Sequence, residues 1–259
     1  MTRIVGILNI TPDSFSDGGR FTDIKRAIDH FEKMISDGAD VIDIGAQSTR
    51  PGANIISSDE EWQRLEPLLN EIENNNYKVE ISIDSFNHAT ISRALDYNIS
   101  YINDVSGCSS DEMKDIAARS GKKIIFMHNL GIPADKAQIL PDSTDIISFL
   151  SHWLEDKIME LENSGIKKEK MIFDPGIGFG KTHQQNLEII MGAEKFKRYG
   201  VEVMVGHSEK SFLSLFTSEP AGKRGDETKR FSRMLAEKNI DYIRVHDVSG
   251  NKEIINSIK

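Results

Sequence analysis

The sequence predicts a single-domain α/β protein, an eight-stranded (β/α)8 TIM barrel, and three observations predict it. Short β-branched runs alternate with longer amphipathic stretches, eight such pairs can be counted, and no glycine-rich turn follows the first run. The alternation is the sequence form of a parallel sheet with helices outside it. Eight repeats close a barrel, whereas an open doubly wound sheet usually has fewer strands and a glycine-rich first turn. A chain of 259 residues is near the usual size of one such barrel, so residues 1–259 are read as one domain.

The elements follow in order. The first strand is placed at Arg3–Asn9, then an unpatterned stretch Thr11–Thr22 and a helix at Asp23–Ser36. Asp40–Gly45 is the second strand, followed by a second unpatterned stretch, Ala46–Ser57, and a helix at Ser58–Glu73. Ser58 stands before an acidic turn and reads as a helix start. Val79–Asp84 precedes the helical Asn87–Tyr97, and the short run Tyr101–Asn103 precedes Asp111–Arg119, where Asp111 next to Glu112 marks another start. Lys123–Met127 pairs with Ser143–Asn163, Lys170–Asp174 with Gln184–Tyr199, and Val201–Gly206 with Thr228–Glu237. Asp241–Val245 leaves only Ser249–Lys259 for the last helix. Both unpatterned stretches follow strands on the side where a barrel keeps its active site, so both are lid candidates.

Composition narrows the function. Hydrophobic residues make up 38% and charged residues 28%, with no long apolar run and no basic-then-apolar leader, which reads as a soluble, unexported, cytoplasmic protein without a membrane partner. Cys108 is the only cysteine and no Cys/His cluster has zinc spacing, so neither disulfides nor a structural metal is expected. A formal charge of −9 argues against nucleic acid as a partner. An anionic small molecule would need local cations.

Those cations stand where a barrel needs them. Strand C-termini converge on one mouth, and the polar residues ending these strands are Asn9, Asp43 with the Ser48-Thr49-Arg50 turn, Asp84, Asn103 with Asp104, His128, Asp174, Ser208 with Lys210, and Arg244 with His246. Asp84, Asp174 and the amide of Asn103 suit a flat heterocycle with adjacent N–H donors, because a carboxylate accepts a two-pronged donor edge. Paired carboxylates could also serve sugar hydrolysis or hold a divalent metal. Arg50, Lys210, Arg244 and His246 are more cations than a neutral sugar requires, and they suit phosphate. The stretch Asp174-Pro-Gly-Ile-Gly-Phe-Gly-Lys-Thr182 fails as a P-loop, since Pro175 stands where the first glycine is needed, and it misses the dinucleotide spacing too. Its glycines suit a close backbone approach to a ligand, with Phe179 as an apolar wall, or simply a tight turn. Trp62 and Trp153 read as outer-layer packing, Lys167–Lys170 as a solvated turn, and His128 as a structural strand end as easily as a ligand contact.

Long motifs carry a resemblance. Gly6-Ile-Leu-Asn-Ile-Thr-Pro-Asp-Ser-Phe-Ser-Asp-Gly-Gly19, Gly38-Ala-Asp-Val-Ile-Asp-Ile-Gly-Ala-Gln-Ser-Thr-Arg-Pro-Gly52, Ser82-Ile-Asp-Ser85, Ile102-Asn-Asp-Val-Ser-Gly107, Met127-His128, the 174–182 stretch, Gly206-His-Ser-Glu-Lys-Ser-Phe212 and Arg244-Val-His-Asp-Val248 stand in one order over nearly the whole chain. In this the sequence resembles the dihydropteroate synthase family. The resemblance implies a transferase of folate biosynthesis that joins dihydropterin pyrophosphate to p-aminobenzoate, releasing pyrophosphate. It implies that Asp84, Asn103, Asp174 and Lys210 hold the pterin, while Asn9, Arg50, Arg244 and His246 surround the pyrophosphate. Asp84, Asp174, Lys210, Arg244 and His246 are then the catalytic set. It also implies a Mg2+ ion between Asn9 and pyrophosphate oxygens. Thr49, Pro51, Phe179 and Ser211 would shape a p-aminobenzoate pocket for which sulfonamides compete, and loops Thr11–Gly19 and Ser48–Gly52 would close over it. A homodimer is the expected assembly.

Two features depart from the family. Ala46-Gln47 replaces its usual Gly-Glu, and Glu209 stands between Ser208 and Lys210 where arginine is usual. Facing the carboxylate of p-aminobenzoate, Glu209 would weaken binding by like-charge repulsion; rotated outward it would be nearly neutral. Two other readings stay open at this point: a pterin-dependent methyltransferase domain serving a corrinoid protein, and a catalytically silent pterin-binding paralogue with Glu209 as its lesion.

Overall fold

A computed structural model of the chain describes residues 1–11, 20–49, 52–135 and 137–258. Eight strands run β1 Arg3–Asn9, β2 Val41–Gly45, β3 Glu80–Asp84, β4 Tyr101–Asp104, β5 Lys123–Met127, β6 Met171–Asp174, β7 Glu202–Val205 and β8 Tyr242–Val245. Each pairs in parallel with its sequence neighbours, and β1 pairs with β8 to close the barrel. The helices α1 Arg20–Ser36, α2 Ser58–Asn75, α3 His88–Ala94, α4 Asp111–Ser120, α5 Ile146–Asn163, α6 His183–Gly192, α7 Gly225–Glu237 and α8 Val248–Asn256 follow the strands one by one. None is long and apolar enough to cross a membrane among the described residues.

The predicted pairs all stand, with shifts at the ends. The two helices begin where the sequence places them, at Ser58 and Asp111, but the capping side chains belong to the preceding residues: Ser57 and Ser110 accept from the Glu60 and Met113 amides. A short hydroxyl reaches the third helical amide only from outside the helix. The segment Gln184–Tyr199 is an α-helix to Gly192 and a 3-10 helix from Ala193 to Tyr199. The last helix starts at Val248, capped by Asp247. Lys168–Lys170 is the expected short turn before β6.

Side chains alternate across each strand, and two separate cores result. The outer core lies between sheet and helices, where Ile42, Ile44, Ile81, Ile83, Phe126 and Phe173 meet helix residues such as Leu65, Leu68 and Phe196. Trp62 and Trp153 pack against this layer, as the sequence suggested. The inner core fills the barrel with Val5, Val41, Tyr101, Ile125, Ile172, Met204 and Tyr242. Below it, at the N-terminal end, the odd strands present alternating charges: Arg3, Glu80, Lys123 and Glu202. Arg3 pairs with Glu80 and donates to the Tyr101 hydroxyl at 2.7 Å, while Lys123 pairs with Glu202 and donates to the Tyr242 hydroxyl at 2.9 Å. Six polar side chains therefore stopper that end. Above the inner core, the same alternation points Asp43, Asp84, Asn103, Asp174 and Arg244 towards the opposite mouth.

Candidate active site

At the base of the mouth lies Asp43, in mid-strand and fully buried. Its Oδ2 accepts from Arg244 Nε at 2.6 Å and from Asn103 Nδ2 at 2.9 Å, so one carboxylate oxygen ties β2 to β4 and β8. Arg244 then donates from Nη2 to Asp84 Oδ2 at 2.7 Å. Burial works against this guanidinium, but Asp43 and Asp84 outweigh it and hold the cation firmly charged. Burial pushes the Asp84 carboxyl upward, with Arg244 opposing and Asp43 adding to the rise. Two carboxylates thus share one cation at the floor of the mouth.

Asn9 and Asp84 lie on either side of Gly45 at the mouth. A Cβ at Gly45 would stand 3.4 Å from the Cβ of Asp84 and 3.5 Å from Asn9 Oδ1, so both side chains flank this glycine at ordinary contact distance. On the other side Asp174, at the end of β6, accepts the Gly176 amide at 2.8 Å. Burial raises its carboxyl, while that amide, Lys210 and Arg244 pull it down. Lys210 lies along Gly178, with its ammonium 4.6 Å from the centre of the Phe179 ring. A cation over an aromatic face contributes about 0.5–1 kcal/mol at a partly exposed site, enough to hold the wall and the charge together.

The 175–182 loop is held from both sides. Lys181, 5% exposed, donates to the carbonyls of Gly176 at 3.0 Å and Phe179 at 2.9 Å and lies 3.0 Å from His128 Nδ1. Burial lowers its ammonium to about 7, and burial with Lys181 beside it lowers His128 to about 3. The neutral imidazole accepts from the lysine. From α6, Asn186 accepts the Gly178 amide at 2.8 Å and donates to the Lys181 and Thr182 carbonyls. Thr182 and Gln185 close a capping box at the start of that helix.

His246 sits at the rim, exposed. Its amide donates to Ser208 Oγ at 3.3 Å and its Nδ1 lies 2.9 Å from the same oxygen. With the amide donating to it, the hydroxyl directs its own proton to Nδ1, an assignment from the network that turns Nε2–H outward. Ser211 is exposed beside Lys210, and the Thr49 carbonyl accepts from Ala134 at 3.1 Å, tying the loop after β2 to the loop after β5.

Of the residues singled out from sequence, Asn9, Asp84, Asn103, Asp174, Phe179, Lys210, Arg244 and His246 come together at this mouth, with Thr49 and Ser211 on its surrounding loops. Arg50, Pro51 and most of loop Thr11–Gly19 lie outside the described residues. Arg244, expected beside pyrophosphate, makes its two ion pairs with Asp43 and Asp84. Asp104 and His128 end strands but face outward: Asp104 accepts the Ser106 amide, and His128 packs edge-on against Phe149 and Trp153 at 5.5 and 5.0 Å. Sequence reading passed over Lys181 and Asn186 as site-forming residues and placed Asp43 and Ser208 at the mouth without a role. Counting strand parity would have placed Asp43 inside and His128 outside. Glu209 also turns away: its carboxylate accepts the amides of Gly222 and Arg224.

Among the described residues no group of three or more His, Cys, Asp or Glu side chains could hold a metal ion. Asn9, half-buried at the end of β1 with its Oδ1 beside Gly45, offers one neutral oxygen donor at this mouth.

Comparison with known proteins gives the following. Residues 5–246 match the pterin binding enzyme family. A dihydropteroate synthase of Clostridium beijerinckii is 38% identical over 252 residues, covering 96% of this chain and 90% of that protein. A probable bifunctional folylpolyglutamate synthase/dihydropteroate synthase of Haloferax volcanii is 37% identical over 255 residues, and there the chain spans only 30% of the relative's length. Among solved structures, the dihydropteroate synthase of Anaplasma phagocytophilum with bound 6-hydroxymethylpterin-monophosphate superposes with a TM-score of 0.89 at 38% identity, covering 98% of this chain and 97% of that one. The Xanthomonas albilineans dihydropteroate synthase with 4-aminobenzoic acid gives 0.91 at 30% identity, covering 98% and 91%.

Proposed function

The chain belongs to the pterin-binding enzyme family, and from that premise we infer that it is a dihydropteroate synthase, condensing 6-hydroxymethyl-7,8-dihydropterin pyrophosphate with p-aminobenzoate. The observation that carries the reading is the inward cluster of Asp84, Asn103, Asp174, Lys210 and Arg244 at one barrel mouth, set on a chain whose relatives of similar length share that activity.

The chemistry follows from what these groups can do. In the reaction the bond between the pterin methylene carbon and the pyrophosphate oxygen breaks, pyrophosphate leaves with the electron pair, and the arylamine nitrogen bonds to the carbon and loses a proton. Asp174 and Asp84 are acceptors for the donor edge of the pterin, with Asn103 beside them. Their negative charge favours a ring that becomes cationic as the leaving group departs. Lys210 pins Phe179 as a wall, and Phe179, Thr49, Pro51 and Ser211 shape the place of the arylamine. Asn9, Arg50, Arg244 and His246 take the pyrophosphate, with Ser208 setting the His246 ring. Mg2+, held by Asn9, would supply further charge neutralisation at the pyrophosphate oxygens. Loops 11–19 and 48–52 would exclude water from the carbocation.

We also read the protein as a cytoplasmic homodimer and a sulfonamide target, on the strength of the family resemblance and, for the compartment, the single cysteine. Light scattering after size exclusion tests the assembly. The reaction itself is tested by pyrophosphate release from purified protein with dihydropterin pyrophosphate and Mg2+, with and without p-aminobenzoate. Arylamine-dependent release with formation of dihydropteroate is expected, and Asp84→Ala should lower kcat/KM at least ~100-fold without unfolding the barrel. Pterin binding without product would favour a silent paralogue, and full activity of Asp84→Ala would refute the role assigned to it.

A further inference from the structure

We infer that Glu209 is a positioning residue that clasps the 217–224 loop beside Lys210 and Ser211 and so sets the affinity for the second substrate, the arylamine. Glu209 occupies the left-handed region at φ 60°, a conformation costly for a residue with a side chain. That turn is secured by its own amide, which donates to the buried Thr228 hydroxyl at 3.2 Å. It also directs the carboxylate away from the mouth. There one oxygen, Oε2, accepts two backbone amides, Gly222 at 2.8 Å and Arg224 at 3.0 Å.

A closed circuit results. Arg224 is the residue before α7, so the carboxylate sits where a helix start favours negative charge. The Arg224 side chain returns, donating from Nη1 to the Lys210 carbonyl at 3.0 Å and from Nε to the Glu219 carbonyl at 2.9 Å. Glu209 thus holds the Arg224 backbone, and Arg224 holds the backbone of the residue following Glu209. Lys210 is the cation over Phe179, and Ser211 opens the 3-10 helix that carries buried Phe212 and Leu213 into the core. Slack in the clasp reaches the Lys210 carbonyl and, through it, Ser211, while the Lys210 ammonium keeps its own anchor on the Phe179 ring.

The geometry also accounts for the departure noted in the sequence. An arginine at 209 would aim donors at two amide donors and release the loop. The negative charge is engaged by two N–H groups, so it does not oppose a substrate carboxylate as it would if turned inward.

The identity of the second substrate rests on the synthase reading, so the experiment has two arms. The first is backbone hydrogen exchange over residues 217–225 of the full chain, which requires no turnover. The second is steady-state kinetics with p-aminobenzoate and dihydropterin pyrophosphate varied separately, with thermal melts as a folding control. For Glu209→Ala, exchange of the Gly222 and Arg224 amides should rise about tenfold and the KM for p-aminobenzoate about tenfold, while kcat and the pterin KM stay within about twofold. Glu209→Gln keeps an acceptor oxygen and should restore both readouts; Glu209→Arg should behave as the alanine variant. Unchanged exchange in Glu209→Ala overturns the clasp, and faster exchange with an unchanged arylamine KM overturns its link to the substrate. A lower arylamine KM in Glu209→Arg overturns the inference as well. If the parent protein makes no dihydropteroate, the synthase reading and the substrate half of the inference fall together, and the exchange arm alone decides the clasp.

Discussion

Replacing Asp43 by alanine should damage both stability and pterin binding, by an amount that can be worked from its contacts. Its Oδ2 accepts two hydrogen bonds, from the Arg244 guanidinium at 2.6 Å and the Asn103 amide at 2.9 Å, in a site with no exposure at all. Hydrogen bonds to a charged group contribute about 1.5–3 kcal/mol each, so losing both would cost about 3–6 kcal/mol. Arg244 keeps Asp84 at 2.7 Å and is not stranded, which places the expected loss at the lower end, about 3 kcal/mol. Asn103 and Arg244 would also lose the acceptor that orients them, so pterin affinity should fall about tenfold or more. Urea unfolding followed by circular dichroism gives the first quantity and fluorescence titration with a pterin gives the second. Asp43→Asn retains an acceptor of the same shape and should fall between parent and alanine, which keeps the experiment informative should the alanine variant fold poorly. A loss under about 1 kcal/mol with unaltered pterin binding would refute the idea that Asp43 organises the mouth.

Two further outcomes are expected. Lys181 titrates near 7 in the folded chain against 10.5 ordinarily, so between those pH values the native state binds fewer protons than the unfolded one. Stability of the parent should therefore rise with pH through that window relative to Lys181→Met. A difference between the two that stays flat from pH 7 to 10 would contradict the buried, partly neutral lysine. Gly176→Ala should disrupt the loop after β6, since its Cβ would stand 1.9 Å from the His128 carbonyl oxygen at a φ of 72°. A destabilisation of about 3 kcal/mol with weakened pterin binding is expected in melts and titrations, and a variant indistinguishable from parent would show that the loop is looser than this contact requires.

How far the sequence discloses this arrangement depends on the range of the interaction. The strands were legible because each alternates on its own, as in Glu80–Asp84, where Ile81 and Ile83 face the helices while Glu80, Ser82 and Asp84 face inward. The helix starts at Ser58 and Asp111 were legible, but the caps were not, because Ser57 and Ser58, or Ser110 and Asp111, are equally good capping types, and only backbone geometry chooses between them. At the site, strand ends identified Asp84, Asn103, Asp174 and Arg244. They did not disclose that Arg244 reaches Asp43, 201 positions away, because contacts across a barrel leave no local spacing. Lys181 was hidden for the opposite reason: once the phosphate-loop spacing fails, nothing local assigns this lysine a task, and only the fold shows that it binds its own loop's carbonyls. Glu209 looked like a lesion when judged by charge alone. Its left-handed backbone, which sequence does not announce for a glutamate, turns that charge to another use.

The stoppered N-terminal end has a consequence for traffic. With Arg3, Glu80, Tyr101, Lys123, Glu202 and Tyr242 filling the floor and a hydrophobic layer above them, the described residues close the N-terminal end of the barrel and leave the opposite mouth for access. Whatever enters must leave the same way. For a reaction with two substrates and two products, the spent leaving group and the newly joined molecule queue at the opening that admits the next arrivals. Substitutions at the floor, however costly to the fold, leave that traffic untouched.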